Sequence, residues 1–169
     1  MILSQTIKSQ TGFTLIELMI TITVLSILIF IGSSLTTSWI DRSQVNSTAT
    51  QFKNAVSTAK VAAVRNPNSI ALNATAVTVC IDSNTKTLNV IRLASPTATL
   101  CSSSAPNTLL QQVQLPAGIR ILQGNATLQC LRFNADGMLN TSTGSACSVH
   151  PTFNFKVEKN NESADLEFM

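Results

Sequence analysis

The feature that most constrains this chain is a long apolar run near its N-terminus. No ionisable side chain occurs among the 23 residues between Glu17 and Asp41. The central part, residues 18–31, consists almost wholly of Leu, Ile, Met, Val, Phe and Thr. At about 1.5 Å per residue, a helix of this length covers roughly the 30 Å hydrocarbon thickness of a bilayer. The sequence therefore predicts one transmembrane helix.

A short polar leader precedes this run and predicts its orientation. The leader carries Lys8, which favours a cytoplasmic N-terminus and places the chain after Trp39 on the opposite side of the membrane. A secretory signal peptide is the alternative, but its apolar core normally has about 7–15 residues and ends at an Ala-x-Ala-like site. The run here is longer, and Gly32-Ser33-Ser34 is a weak cleavage candidate.

Glu17 is the informative charge, because it lies inside the start of the apolar helix. A carboxylate in this setting costs several kcal/mol unless it is paired. We expect no group of the same helix to pair with it. The expected partner therefore lies on another molecule, and a free N-terminal amine is the obvious cation.

The segment Thr11-Gly12-Phe13-Thr14-Leu15-Ile16-Glu17-Leu18 resembles the prepilin signature of type IV pilins and type II secretion pseudopilins. The resemblance implies that a membrane peptidase cuts after Gly12 and methylates Phe13. Glu17 then becomes the fifth residue of the mature chain, where the family's glutamate meets the N-terminal amine of a neighbouring subunit. The implied partners are other pilin or pseudopilin subunits, the prepilin peptidase, the inner-membrane assembly platform and, before assembly, membrane lipid.

Beyond the apolar run the helical pattern continues to Arg65, and Pro67 ends it. One apolar stripe at three- and four-residue steps predicts the buried face: Val45, Ala49, Phe52, Val56, Ala59 and Ala63. The remaining residues alternate short β-like runs with turn residues. We predict strands at 76–82, 87–93, 109–115, 119–123, 127–134 and 153–157, with turns at 82–85 and 136–137. The predicted class is α+β, a mostly antiparallel sheet packed on the second half of the helix.

Residues 52–81 and 131–139 resemble the GspH/FimT branch of minor pilins and minor pseudopilins. The domains expected from this resemblance are a leader at 1–12, a membrane and filament-core half of the helix at 13–40, and a periplasmic or extracellular head at 41–169. The protein would be a single-pass inner-membrane protein before it enters the filament.

The head contains four cysteines, Cys80, Cys101, Cys130 and Cys147. No Cys-x-x-Cys pair occurs and His150 is the single histidine, so we expect no metal site. In an oxidising compartment two disulfides are the economical interpretation. Among the three connectivities we favour the sequence-local pairs, Cys80 with Cys101 and Cys130 with Cys147; buried free thiols are the alternative.

The sequence gives catalysis little support, and we expect neither an enzyme nor a cofactor. No G-x-S-x-G elbow occurs, and the acidic residues are scattered. DNA binding is a sharper alternative, because members of the FimT branch bind DNA through an arginine-containing segment near the C-terminus. This chain lacks that segment, and residues 156–169 are acidic. A basic patch would need neighbouring strands to bring together Arg92, Arg120, Arg132 and Lys156.

The sequence thus favours a minor pilin of a type IV pilus with a priming, tip or adaptor role. A minor pseudopilin of type II secretion and a DNA-binding pilin for natural transformation are the alternatives. The first two share every residue discussed, so the sequence does not separate them.

Overall fold

A computed structural model describes residues 12–140, Cys147 and residues 154–167, with the backbone alone at 32–35. The chain divides into two compact units between Trp39 and Ile40. The described elements are one helix and eight strands: α1 (Leu15–Arg65), β1 (Thr75–Asp82), β2 (Thr87–Arg92), β3 (Thr108–Gln114), β4 (Arg120–Gln123), β5 (Ala126–Thr127), β6 (Cys130–Asn134), β7 (Phe155–Lys159) and β8 (Glu162–Leu166).

In the first unit, α1 is long and apolar enough to cross a membrane, and its apolar residues are exposed. Three of its hydroxyl groups, near the middle of the apolar run, are bonded within the helix. Thr21 donates to the Leu18 carbonyl, and Ser26 to the Ile22 carbonyl, each at 2.8 Å. Thr23 donates in the same way to Met19 at 2.8 Å. These three hydroxyls therefore carry no unsatisfied donor into lipid, where such a donor would be costly.

In the second unit, α1 packs against the sheets through the predicted stripe. All six predicted residues of the stripe are buried, and Thr48 and Ala55 widen it. The Phe52 ring contacts that of Phe155, with centroids 5.7 Å apart. Fully burying one phenylalanine of this kind contributes about 1.5–3 kcal/mol. The hydrophobic contact with the sheets, more than local helix propensity, therefore holds this part of α1 in place.

The antiparallel head is confirmed, and it consists of two four-stranded sheets. The first has the order β3-β2-β1-β6 and the second β5-β4-β7-β8. One face of the first sheet packs on the hydrophobic core through Val77, Val79 and Val90. Its other face carries Cys80, Ile91 and Cys130, which form a smaller cluster with Cys147 and Leu100.

The single strand predicted at 127–134 is wrong, because the chain changes sheets within it. The Leu128 N–H donates to the Ile121 carbonyl of the second sheet at 2.8 Å. The next carbonyl, of Gln129, accepts from the Ile81 N–H of the first sheet, also at 2.8 Å. The alternation of the sequence continues across this crossing, so the pattern alone does not reveal it.

Both predicted turns are confirmed. The Asp82 carboxylate accepts hydrogen bonds from the N–H groups of Asn84 and Thr85, which closes the turn between β1 and β2. Gly137 has φ +80° in the turn after β6, a conformation that glycine adopts without strain. A Cβ atom there would lie 2.8 Å from Val64 Cγ2, so the turn also needs glycine for its close approach to α1.

The strand predicted at 153–157 was expected to be the last one, and this is wrong. The described strand is β7, Phe155–Lys159, whereas Phe153 lies outside the described residues. A two-residue loop at Asn160 and Asn161 then leads into β8, which pairs with β7. Asn160 has φ 51°, and asparagine tolerates this left-handed conformation better than most residues do.

Candidate functional site

The predicted processing site lies immediately before α1. Gly12 and Phe13 have no regular structure, and Phe13 is 90% exposed. A Cβ atom placed on Gly12 would meet no atom within 4 Å. The glycine is therefore not required for packing within the described part of the chain, and the peptide bond after it is accessible to an enzyme.

Glu17 contacts Thr14 through a reciprocal pair of hydrogen bonds. The Glu17 carboxylate accepts from the Thr14 N–H and from the Thr14 hydroxyl, both at 3.2 Å. The Thr14 hydroxyl in turn accepts from the Glu17 N–H at 3.3 Å. This is a capping box, in which a threonine before the helix and a glutamate three residues later satisfy each other's backbone donors.

The expectation that no group of the same helix pairs with the Glu17 charge stays a prediction, although Thr14, directly before α1, does give the carboxylate local hydrogen bonds. The sequence signal was present in Thr14-x-x-Glu17, the spacing of a capping box. Its donors are neutral, however, so they supply no compensating positive charge. Within residues 12–140 and 154–167, no cation lies within ion-pair distance of it. The positive end of the helix dipole gives further local stabilisation.

The four cysteines form two disulfides on one face of the first sheet. Cys80 is bonded to Cys101 and Cys130 to Cys147, with Cα atoms 5.5 Å and 5.2 Å apart. Cys80 and Cys130 are direct partners on β1 and β6. The sulfur atoms of Cys101, Cys130 and Cys147 lie within 4.8 Å of one another. Because each sulfur is in a disulfide, this cluster offers no thiolate to a metal ion.

The four basic residues considered for DNA binding do not form one patch. Arg92 on β2 and Arg132 on β6 are separated by β1, while Arg120 on β4 and Lys156 on β7 belong to the second sheet. Arg132 is only 7% exposed. Arg120 Nη2 lies 2.7 Å from Glu158 Oε1, so its charge is already paired. His150 lies outside the described residues.

Sequence reasoning missed a polar contact between the β7–β8 turn and α1, here called the hairpin clamp (Asp41, Gln44, Lys159, Asn160). Lys159 Nζ lies 2.9 Å from Asp41 Oδ1 and also donates to Gln44 Oε1. Asn160 Nδ2 donates to Asp41 Oδ2 at 2.7 Å. The hydrogen bonds from Lys159 and Asn160 lower the pKa of Asp41. More than a hundred residues separate the partners in sequence, so no local pattern predicts the contact.

The prokaryotic N-terminal methylation motif matches residues 7–33 of the chain. No curated protein and no solved structure matches the chain. The matched segment contains Gly12, Phe13 and Glu17 at the start of the apolar helix. Together with the α+β architecture, the motif supports a type IV pilin-like or pseudopilin protein, a structural subunit rather than an enzyme, anchored in the inner membrane.

Proposed function

We propose that this chain is a minor pilin of a type IV pilus, with a priming, tip or adaptor role. Residues 1–12 are the leader, residues 13–40 the membrane and filament-core part, and residues 41–169 the head. The prepilin peptidase removes the leader after Gly12 and methylates Phe13. The mature chain then passes from the inner membrane, through the assembly platform, into a filament of pilin subunits.

The observation that carries this proposal is the methylation motif at residues 7–33, which contains Gly12 and Phe13 and extends over the first turns of the apolar helix α1. An ordinary membrane anchor gains nothing from an acidic residue at the start of its apolar run, because burying the charge is costly. A subunit that must dock beside another one gains a defined register from it. The exposed apolar surface of the first unit matches both lipid and the apolar core of a filament.

The Thr14–Glu17 capping box refines the role of the glutamate in this proposal. Neutral donors hold the carboxylate in position while leaving its negative charge uncompensated. The N-terminal amine of Phe13 in a neighbouring processed subunit supplies the opposite charge. The capping box thereby pre-orients the acceptor, which lowers the entropy lost when the two subunits dock.

Two related functions are the alternatives, a minor pseudopilin and a DNA-binding pilin. A minor pseudopilin of type II secretion, like the GspH proteins, would use the same processing site and helix. DNA binding of the FimT type gains no support from the described basic residues, because Arg132 is buried and Arg120 is paired with Glu158.

The test of the proposal is mass spectrometry of the N-terminus of the chain purified from the envelope of cells that contain a prepilin peptidase. We expect a mature chain that starts with N-methylated Phe13. Expression without the peptidase should leave the leader attached. A chain that keeps residues 1–12 in the presence of the peptidase would contradict the proposal.

Gly12→Val provides a matched variant for the same measurement. Because a Cβ atom at Gly12 has no neighbour within 4 Å, the substitution should leave the fold of the described residues unchanged. We expect the variant to insert into the membrane and form its disulfides, but to keep its leader. Normal cleavage of Gly12→Val would show that the glycine is not the recognition element.

A further inference from the structure

A surface cleft of about 350 Å³ lies between the last turns of α1 and the β2–β3 side of the first sheet. Five helix residues form one wall, and residues of β2 and β3 form the other; the lining is Ser57, Thr58, Val61, Ala62 and Arg65 on α1, Arg92 on β2 and Leu110 on β3. The helix residues fall at steps of three and four, so they share one side of α1.

Two positive charges in this cleft have no acidic counterpart. Arg65 and Arg92 both line it, and no aspartate or glutamate among the residues that the structure describes does. Within the described part of the chain, neither arginine forms an ion pair or a side-chain hydrogen bond. Arg92 is half-buried, and its Nε–H has no acceptor among the described residues. A buried donor without a partner is destabilising, so this guanidinium is suited to gain from an external acceptor.

We propose that this arginine cleft (Arg65 and Arg92, with the walls named above) binds an acidic side chain of the adjoining protein subunit. The guanidinium groups hold the carboxylate by charge-assisted hydrogen bonds. Val61, Ala62 and Leu110 contact the aliphatic part of the same side chain. The proposal rests on the proposed function, because the adjoining subunit is taken to be a pilin of the same filament.

The lining favours a carboxylate on a polypeptide over the phosphates of a nucleic acid. Nucleic-acid binding commonly uses rows of cations that neutralise several phosphates. Only two cations meet in this cleft, whereas Lys86 lies in the β1–β2 turn and Lys156 in the second sheet. Three of the five other lining residues are apolar, which suits a glutamate stem better than a sugar-phosphate chain.

The cleft can be tested by fluorescence anisotropy with the full-length chain in detergent micelles. The probes are a labelled hexaglutamate peptide, a labelled hexaglutamine peptide and a labelled short DNA duplex. We expect hexaglutamate to bind, hexaglutamine not to bind, and Arg92→Gln to weaken the hexaglutamate affinity about tenfold. Arg92→Lys keeps the charge and should recover part of the affinity.

Lys53→Gln is the matched control, because it removes one positive charge from the same helix outside the cleft. Its hexaglutamate affinity should stay close to that of the parent chain. Equal weakening by Lys53→Gln and Arg92→Gln, no binding of hexaglutamate, or tighter binding of DNA than of the peptide would each overturn the proposal.

A photo-reactive benzoylphenylalanine at Ser57 tests the cleft in cells. The expected result is a cross-link to an acidic segment of a filament subunit that is lost in the Arg92→Gln background. A cross-link that persists in that background overturns the inference. Mass spectrometry of the same preparation separates the two proposals: a methylated Phe13 without charge-dependent binding refutes the cleft alone, whereas an uncut leader refutes the filament subunit.

Discussion

The hydrogen bonds between Thr14 and Glu17 explain how a carboxylate is accommodated at the start of an apolar helix. The carboxylate needs hydrogen bonds to tolerate low polarity, and the Thr14 N–H and hydroxyl supply two of them. The same contact caps the first turn of α1, since the Glu17 N–H donates to Thr14 Oγ1. The Thr14 hydroxyl and the Glu17 carboxylate therefore stabilise the start of α1 and also hold the carboxylate in position for the proposed contact with a partner's N-terminal amine.

Substitutions at these two positions should separate the two effects. Glu17→Ala should leave processing and membrane insertion intact but impair incorporation into filaments, because the docking charge is lost. Thr14→Val removes the hydroxyl but keeps the charge and the backbone donor, so incorporation should fall much less. The measurement is the amount of each variant in sheared filaments relative to that in the membrane. Equal incorporation of Glu17→Ala and the parent chain would contradict the charge-pair mechanism.

At the scale of single residues, the sequence identified Gly12, Phe13 and Glu17, because a local motif carries them. We did not predict that the Glu17 carboxylate accepts hydrogen bonds from Thr14, although the spacing of the two residues is that of a capping box. The surroundings of Arg120 and Arg132 could not be predicted from the sequence. The ion pair of Arg120 with Glu158 and the burial of Arg132 both depend on the register between strands that are distant in sequence.

Among the elements, the β7–β8 hairpin depends most visibly on a polar contact. The Lys159 ammonium lies between the Asp41 carboxylate and Gln44, and Asn160 holds the second carboxylate oxygen. Both members of the Lys159–Asp41 ion pair have side chains that are mostly shielded from solvent. The hairpin clamp thus fixes the end of the second sheet to the first turns of α1 in the head.

Loss of the clamp should destabilise the head more than loss of a nearby charge. Lys159→Met removes the ion pair with Asp41, whereas Lys156→Met removes a charge from the same strand that has no ion pair among the described residues. We expect a lower melting temperature for Lys159→Met than for Lys156→Met, measured by circular dichroism on the full-length chain in micelles. The opposite order would show that the clamp contributes little.

The clamp also predicts a dependence of stability on pH. The folded-state pKa of Asp41 is lower than its unfolded value, so its stabilisation is present above pH of about 4 and is lost as the pH falls through the lowered pKa. On going from neutral to strongly acidic pH, the melting temperature of Asp41→Asn should therefore fall less than that of the parent chain. Parallel losses in the two proteins would contradict this.

At the scale of elements, the apolar run and the three- and four-residue spacing predicted α1 and its buried stripe, because both are local patterns in the sequence. The turn at Asp82 followed from its own side-chain chemistry. The switch of sheets at Leu128 and Gln129 and the final strand β8 were missed. The switch of sheets is determined by hydrogen bonds to residues distant in sequence. The strand β8 is a short edge strand with an exposed aspartate, Asp165, so its sequence resembles a solvated tail.

For the molecule as a whole, the two disulfides secure segments that the sheets do not. Cys101 belongs to the connection between β2 and β3, and Cys147 follows β6 outside the named strands. The bonds to Cys80 and Cys130 attach both segments to neighbouring strands of the first sheet. On the far face of that sheet, Leu100 packs against the cluster that the four residues Cys80, Ile91, Cys130 and Cys147 form.

Removal of either disulfide should lower stability, because the unfolded chain gains conformational freedom. For loops of 21 and 17 residues of separation the expected loss is about 3 kcal/mol each. Pairwise alanine variants, Cys80→Ala with Cys101→Ala and Cys130→Ala with Cys147→Ala, should each melt roughly 10 °C below the parent chain in micelles. Titration of the denatured, unreduced parent chain should find no free thiol; four reactive thiols would refute both bonds.

The hydroxyl groups of Thr21, Thr23 and Ser26 donate their hydrogen bonds to backbone carbonyls of their own helix. The described side chains between Leu18 and Ile31 therefore offer a neighbouring helix no free hydroxyl donor, so axial sliding along this stretch meets little resistance. The axial position of the subunit then has to be set by the polar groups at the start of the helix.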